Sequence, residues 1–196
     1  SGIWVLPDDA PGGQSMADFM GAGDTVLDLE ITPNRPDCLS MVGMAREVGA
    51  MYQQPVAWPL SGDVEKLAAV TAGEDVAAAV TVEVPDAARC PRYTARVIDN
   101  VKVGPSPEWL AERVTAAGGR SINNVVDVTN YILYLYGQPL HAFDARKIEG
   151  RRIVVKTCAE GTPFVTLDGV ERKLSDRDLM ICSAERPMCI GGVFGG

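Results

Sequence analysis

The chain has 196 residues, of which 46% are hydrophobic, and its formal net charge is −8. This length and composition predict a globular protein with a sizeable core, and the acidic charge excludes broad non-specific binding of nucleic acid, which needs a positive surface. The sequence contains neither an apolar run of roughly 18 residues nor the basic and apolar regions of a signal peptide, so we expect a cytoplasmic protein without a membrane span.

The first predicted element is a strand at residues 25–31, where apolar and acidic side chains alternate with a period of two. Pro33 and Pro36 end this pattern. Asp37 then stands where a cap is expected before an amphipathic helix, whose apolar residues between 39 and 51 fall at helical spacing. We expect a strand-turn-helix unit with a packing role.

The middle of the chain begins with a predicted connector at residues 52–75, which contains two prolines and an alanine-rich run. Residues 77–84 and 93–101 follow as two predicted strands.

Two helices come next. Ser106 is the expected N-cap of the first helix, with Pro107 at its first position. The second helix is predicted at residues 124–136, with Asn124 as its cap and Gly137 as its end. This second helix leads directly toward the only histidine of the chain.

From residue 151 onward the pattern is that of short strands, with Asp168-Gly169 as a hairpin turn. The predicted strands cover residues 153–158, 164–167, 170–174 and 179–184. Strands beside a pair of helices predict an α+β fold with a mixed or antiparallel sheet or β-sandwich core and flanking helices.

The five cysteines contain no CxxC pair, and with one histidine they cannot form a recognisable zinc signature. We therefore expect reduced thiols, no metal and no structural disulfide. Basic residues could steer the end of a nucleic acid, although a solvated charged surface explains such residues more often. These basic residues are Arg89, Arg92, Arg120, Arg146, Lys147, Arg151 and Arg152.

His141 is the only side chain that could do acid–base chemistry near neutral pH with an unshifted pKa. The alternative is a histidine whose ring nitrogens are satisfied by the backbone. Asn130 lies inside the second helix, where helix propensity gives no reason for an amide. It could act in a site, or it could pin the helix to a neighbouring loop.

The chain closes with the glycine-rich run GGVFGG at residues 191–196, which lacks the spacing of a phosphate loop or of a dinucleotide fold. One interpretation is a tight turn. The other is a close approach of the backbone to a ligand, which side chains would obstruct.

Two motifs, DLEITPNRPDCLSMVGMARE at residues 28–47 and SINNVVDVTNYILYLYGQPLHAFD at residues 121–144, closely resemble the β subunit of bacterial phenylalanyl-tRNA synthetase, in the part that holds its editing domain. The resemblance covers nearly all of the chain. It implies that residues 1–55 form a junction from a preceding region and that residues 56–196 form an editing-type domain. The absence of an initial Met and the glycine-rich end lead us to expect a fragment, cut at the C-terminal end of that domain.

The resemblance also implies roles for individual residues. Thr129, Asn130, Pro139 and His141 match positions that in the family line a pocket hydrolysing tyrosine wrongly attached to phenylalanine tRNA. His141 would orient or deprotonate the attacking water, or bind the amino-acid or ribose end, and Asn130 would hold substrate or water. Backbone groups of the glycine run are expected to contribute to the same pocket, and these are Gly191, Gly192, Gly195 and Gly196. Many members of the family continue this run with a glutamate that recognises the tyrosine hydroxyl, whereas this sequence ends at Gly196.

The partners implied by the resemblance are the 3′ end of aminoacylated phenylalanine tRNA and the α subunit of a heterotetrameric synthetase. No cofactor is expected for this segment, and ATP and Mg²⁺ are expected only for the whole ligase. Two alternatives stay open: a non-catalytic tRNA-binding or interaction module of the same subunit, and an unrelated metabolite-binding α+β domain.

Overall fold

A computed structural model of the chain describes residues 3, 5–19, 25–59 and 76–196, and most of the predicted connector lies outside these ranges. The helices of the described part are α1 (Met16–Phe19), α2 (Met41–Tyr52), α3 (Val76–Ala79), α4 (Glu108–Ala116) and α5 (Asn124–Tyr136). Its strands are β1 (Thr81–Glu83), β2 (Arg152–Thr157), β3 (Pro163–Val165), β4 (Glu171–Lys173), β5 (Leu179–Cys182), β6 (Pro187–Ile190) and β7 (Phe194–Gly195). None of the helices in these ranges is long and apolar enough to cross a membrane.

The main sheet has five strands in the order β1-β2-β5-β6-β7. Strands β1 and β2 run parallel, and the other neighbouring pairs are antiparallel. Strands β3 and β4 form a separate two-stranded hairpin. The predicted α+β class with a mixed sheet is confirmed.

Both faces of the main sheet are apolar because alternate residues of its central strands point to opposite sides. On one face Val154, Met180 and Cys182 pack with Phe164 and Leu174 from the β3–β4 hairpin. The other face packs around four buried side chains, which are Ile153, Val155, Ile181 and Cys189. Phe143 joins this second face, so the segment after α5 is held against the sheet.

Helices α4 and α5 form a pair that positions the start of this segment. Leu110 and Val114 of α4 are fully buried, and Trp109 meets Tyr131 of α5 edge to face at a centroid distance of 5.8 Å. Helix α5 also packs against α2. The proposed division of the chain after residue 55 stays a prediction.

Two of the three strand predictions before the helix pair are wrong, and the third is correct only for its second half. Residues 25–31 and 93–101 belong to neither sheet, and residues 77–84 divide into the end of α3 and the short strand β1. Val26, Leu27 and Leu29 are more than 45% exposed. The physical reason is that alternation specifies one apolar face but supplies no partner strand for the backbone groups.

The predicted cap of α2 is also wrong. Asp37 lies in a 3₁₀ turn (Pro36–Cys38) and pairs with Arg35, with 2.8 Å between Oδ2 and Nη2. The cap is Ser40, whose hydroxyl accepts a hydrogen bond from the backbone N–H of Gly43 at 3.1 Å. The turn of 3₁₀ helix after Pro36 delays the start of the α-helix by one turn.

The caps of α4 and α5 differ from the prediction by one residue each. Pro107 is the N-cap of α4, so Ser106 stands outside the helix. Asn123 caps α5 by accepting hydrogen bonds from the N–H groups of Val125 and Val126, and Asn124 is the first helical residue. Neighbouring Ser, Pro and Asn residues offer several caps: hydrogen bonds select Asn123 in α5, whereas Pro107 begins α4 without a side-chain cap bond.

Candidate functional site

His141 reaches the sheet because the end of α5 is sharply defined. Gly137 adopts a left-handed conformation (φ 73°), and its N–H donates to the carbonyl of Leu133 at 2.8 Å. The sequence predicts this helix end, and glycine adopts the left-handed conformation at no steric cost. The exposed Pro139 follows and restricts the backbone before His141.

The imidazole of His141 is held by neighbours on several sides. The ring of Phe143 lies with its centroid 4.5 Å away at an angle of 46°. The sulfur of Cys189 lies 3.9 Å from Nδ1. A β-carbon built on Gly195 would lie 2.5 Å from Cε1 and 3.1 Å from Nε2, so this edge of the ring rests on the glycine. The side chain stays partly open to solvent, while its direction is constrained.

Partial burial also sets the charge of this ring. Desolvation lowers the pKa of His141 from its ordinary value of 6.5, since the charged form loses hydration. The neutral form of the ring is therefore favoured at pH 7, and in this form one nitrogen is protonated while the other can accept a hydrogen bond. No hydrogen bond to Nε2 is formed by another residue in the described ranges, so this nitrogen is available to a water or a ligand.

Cys189 is the residue at this site that the sequence analysis missed. It is only 3% exposed, and burial raises the pKa of its thiol, so it is a neutral S–H group. Its sulfur also lies 3.3 Å from the carbonyl oxygen of Ile190, to which the S–H donates. Because 48 positions separate Cys189 from His141, no spacing in the sequence indicates the contact.

The glycine run forms the β6–β7 turn and the strand beneath His141. Gly192 has a left-handed φ of 72° in this turn. The N–H of Gly191 donates to Leu179, and that of Gly196 donates to Met188. Gly195 packs under His141, and a β-carbon on Gly196 would clash with the Phe164 ring and the carbonyl oxygen of Val165. The run is thus both a tight turn and a place where close approach needs glycine, and the approaching atoms belong to other parts of this chain.

The two candidate residues on α5 are in a different environment. The hydroxyl of Thr129 donates to the carbonyl of Val126 at 2.7 Å. Asn130 is half-buried, and its amide makes no hydrogen bond to another described residue. Hydrogen bonds and ring contacts within the described ranges do not join either residue to His141. The structure therefore brings together His141 and Gly195, and among the described residues the Asn130 amide has no hydrogen-bond partner.

Asp127 is fully buried and holds the start of α5 to the preceding chain. Its carboxylate accepts hydrogen bonds from the hydroxyls of Ser106 and Ser121, each at 2.5 Å, and from the N–H of Ile122 at 2.9 Å. Burial acts to raise the pKa of Asp127, but these hydrogen bonds outweigh it and lower the pKa. Asp127 thus stabilises the helix that leads to the site.

Several of the basic residues are neutralised by ion pairs. Arg146 pairs with Asp144 at 2.9 Å, and Arg152 pairs with Glu83 at 2.5 Å. Arg89 contacts Asp86 at 3.2 Å. For these three arginines, an ion pair within the protein explains the presence of a basic side chain.

The described residues contain no group of three or more His, Cys, Asp and Glu side chains suited to a metal, and the five cysteines are free thiols. A cavity of about 300 Å³ is lined by nine residues that include Lys156, Cys158 and Cys182. It does not include His141, which instead lies at the exposed edge of the sheet.

Comparison with known proteins gives a family for this arrangement. A family model described as the B3/4 domain matches residues 89–196, which hold α4, α5, His141 and all strands from β2 onward. The chain is also similar over its full length to proteins named phenylalanine–tRNA ligase beta subunit. The identity is 45% over 196 residues for Syntrophus aciditrophicus, 47% over 195 residues for Geobacter sulfurreducens and 50% over 199 residues for Porphyromonas gingivalis.

In each case the alignment covers 100% of this chain and 24% of the relative. The chain therefore spans about a quarter of the length of the relatives that it matches. The resemblance seen in the two sequence motifs is confirmed.

Proposed function

The chain belongs to the B3/4 domain family, and from this we propose that it is the editing part of a phenylalanine–tRNA ligase β subunit, which hydrolyses tyrosine wrongly esterified to phenylalanine tRNA. In this proposal the wider protein is a ligase of protein biosynthesis in the cytoplasm. It binds RNA and works with an α subunit and with ATP and Mg²⁺, whereas this segment performs only the hydrolysis, at the 3′ end of the tRNA and without a cofactor. The whole-chain similarity to proteins of that name supports this.

An apolar site cannot reject tyrosine strongly when it is built for phenylalanine, because the two side chains differ only by an added hydroxyl. A second site can select tyrosine by giving that hydroxyl a buried hydrogen bond. Phenylalanine would then leave the partner of that bond unpaired. Hydrolysis at such a site removes the product that the first site failed to exclude.

The observation that carries the proposal is the constrained imidazole of His141, whose pKa is lowered by desolvation and whose Nε2 receives no hydrogen bond from the described residues. A water hydrogen-bonded to Nε2 attacks the carbonyl carbon of the ester while its proton moves to Nε2. The bond between that carbon and the ribose oxygen then breaks, and the proton passes from Nε2 to the ribose oxygen. Position and proton transfer together lower the barrier.

The remaining candidate residues bind substrate in this proposal. The Asn130 amide supplies both a donor and an acceptor, which suits the amino-acid end or the attacking water. Thr129 and Pro139 line the approach. In the glycine run, Gly192 has open space around its α-carbon, and Gly195 lets His141 lie close to the backbone.

The test uses the whole ligase with His141→Ala and measures deacylation of tyrosyl-tRNA and aminoacylation with phenylalanine in parallel. We expect deacylation to fall by roughly tenfold to a hundredfold, at or below the lower end of general acid–base effects. Aminoacylation should be unchanged, since none of its motifs is visible in this sequence. Unchanged deacylation would exclude the role of His141 and favour a non-catalytic module, whereas an equal fall of both activities would indicate a folding defect.

A further inference from the structure

The imidazole of His141 has a different environment at each of its two ring nitrogens. A neutral imidazole exists in two tautomers, and the hydrogen bond made by one nitrogen selects between them. Nδ1 of His141 faces the sulfur of Cys189 at 3.9 Å, whereas Nε2 has no partner among the residues that the structure describes. The choice of tautomer therefore depends on whether Cys189 donates or accepts in this contact.

The thiol has a single proton, and its geometry favours another acceptor. The sulfur lies 3.3 Å from the carbonyl oxygen of Ile190, which is closer than its 3.9 Å separation from Nδ1. A carbonyl oxygen has no proton of its own, so the S–H must donate in that contact. The sulfur lone pairs then remain for Nδ1, which can approach them only as an N–H donor.

We propose that Cys189 is a positioning residue that holds His141 in the tautomer with the proton on Nδ1, so that the lone pair of Nε2 faces the reacting water. The ring cannot turn over freely to exchange its nitrogens, because Phe143 lies against it and Gly195 contacts the edge formed by Cε1 and Nε2. The consequence for hydrolysis rests on the proposed function, whereas the position of the proton does not.

The sheet explains why the sulfur can hold this position. Cys189 lies in β6, opposite Ile181 on one side and Gly195 on the other, and it is packed in the core on the face that includes Phe143. Burial keeps the thiol protonated by raising its pKa, so the S–H bond to Ile190 persists at neutral pH. A neutral sulfur also places no charge beside the imidazole, which stays a weak base.

The tautomer can be read directly because His141 is the only histidine of the chain. In protein labelled with ¹⁵N in the histidine ring, NMR gives one pair of ring signals, and their shifts show which nitrogen is protonated. We expect the proton on Nδ1 in the unmodified chain. Cys189→Ala should move the signals toward a mixture of both tautomers, and Cys189→Ser should restore the original pattern because a hydroxyl keeps the accepting lone pairs.

Cys182→Ala is the matched control. Cys182 is equally buried, in the neighbouring strand β5, and belongs to the core on the opposite face of the sheet. It should leave the His141 signals unchanged while removing the same sulfur atom from the protein. A proton on Nε2 in the unmodified chain, or the same tautomer in Cys189→Ala, would overturn the inference.

The effect on hydrolysis is measured with the whole ligase. Cys189→Ala should lower kcat for deacylation of tyrosyl-tRNA by about tenfold with little change in KM. This loss is smaller than the ~10⁴-fold loss in catalytic triads whose orienting carboxylate is replaced, because the Cys189 thiol is neutral. Cys189→Ser should recover most of the rate. A changed tautomer with an unchanged rate would exclude a catalytic consequence. If the unmodified ligase released no tyrosine, the proposed function would fail, while the NMR result would still decide the role of Cys189.

Discussion

The backbone of Gly195 lies directly beneath the imidazole of His141, close enough that a β-carbon at position 195 would be 2.5 Å from Cε1. Real β-carbons essentially never come so near another heavy atom, so the two residues can keep this arrangement only if position 195 is glycine. The need arises from packing alone, because the φ angle of Gly195 is not in the left-handed region. Gly195 and His141 thus form one structural unit, although 54 positions separate them in the sequence.

Gly195→Ala should therefore displace His141 without unfolding the protein. The ring is partly exposed and can swing outward, so we expect only a small change in the unfolding midpoint. Deacylation of tyrosyl-tRNA by the whole ligase should fall by about tenfold to a hundredfold, since small misplacements of a reacting group have effects of this size. Gly104→Ala is the control, because in the described part of the chain no heavy atom beyond the adjacent residues lies within 4 Å of the added methyl. Equal activity of the two variants would show that the position of His141 does not matter.

The lowered pKa of His141 predicts a pH dependence with a definite sign. The unfolded chain has the ordinary pKa near 6.5 and binds a proton that the folded chain does not bind until a lower pH. The stability gained from the neutral ring is therefore present above pH 6.5 and is lost as the pH falls through the folded-state pKa. An NMR titration of the single histidine should show a midpoint below 6.5. The fall in unfolding free energy between about pH 7 and pH 5.5 should be smaller in His141→Gln, and a midpoint at or above 6.5 would contradict the prediction.

Asp127→Asn should destabilise the protein because the amide cannot accept all the hydrogen bonds that the carboxylate now accepts. The hydroxyls of Ser106 and Ser121 would have to turn away or lose a partner within a buried region. We expect the thermal midpoint to fall by several degrees. Asp144→Asn is the control, since Asp144 makes an exposed ion pair with Arg146. Equal effects of the two substitutions would argue against a structural role of Asp127.

Selectivity for tyrosine follows from the proposed function and does not depend on which group moves the proton. A site that pairs the tyrosine hydroxyl should release tyrosine roughly five- to 150-fold faster than phenylalanine, which corresponds to about 1–3 kcal/mol for an unpaired buried group. The measurement compares deacylation of tyrosyl-, phenylalanyl- and para-fluorophenylalanyl-tRNA by the whole ligase. Equal release of tyrosine and phenylalanine would exclude editing. Fast release of the fluoro compound would replace hydroxyl recognition with recognition of size.

The parts of the fold that the sequence predicted correctly depend on local chemistry. The end of α5 at Gly137 follows from a glycine that can adopt a left-handed conformation, and the β3–β4 hairpin follows from Asp168-Gly169 between short apolar runs. Each signal lies within a few residues of the structure that it specifies. That His141 is the only histidine can also be read from the sequence without knowledge of the fold.

Tertiary structure decided the pairing of distant segments. The alternation at residues 25–31 predicted a strand, but alternation cannot supply a partner, and the segment joins neither sheet in the described residues. In the same way, only the register of β6 and β7 places Cys189 and Gly195 side by side and under His141. The sequence by itself determined which residues could do chemistry and where the chain turns, whereas the fold determined which of those residues meet, because contacts between distant positions depend on packing that no local pattern encodes.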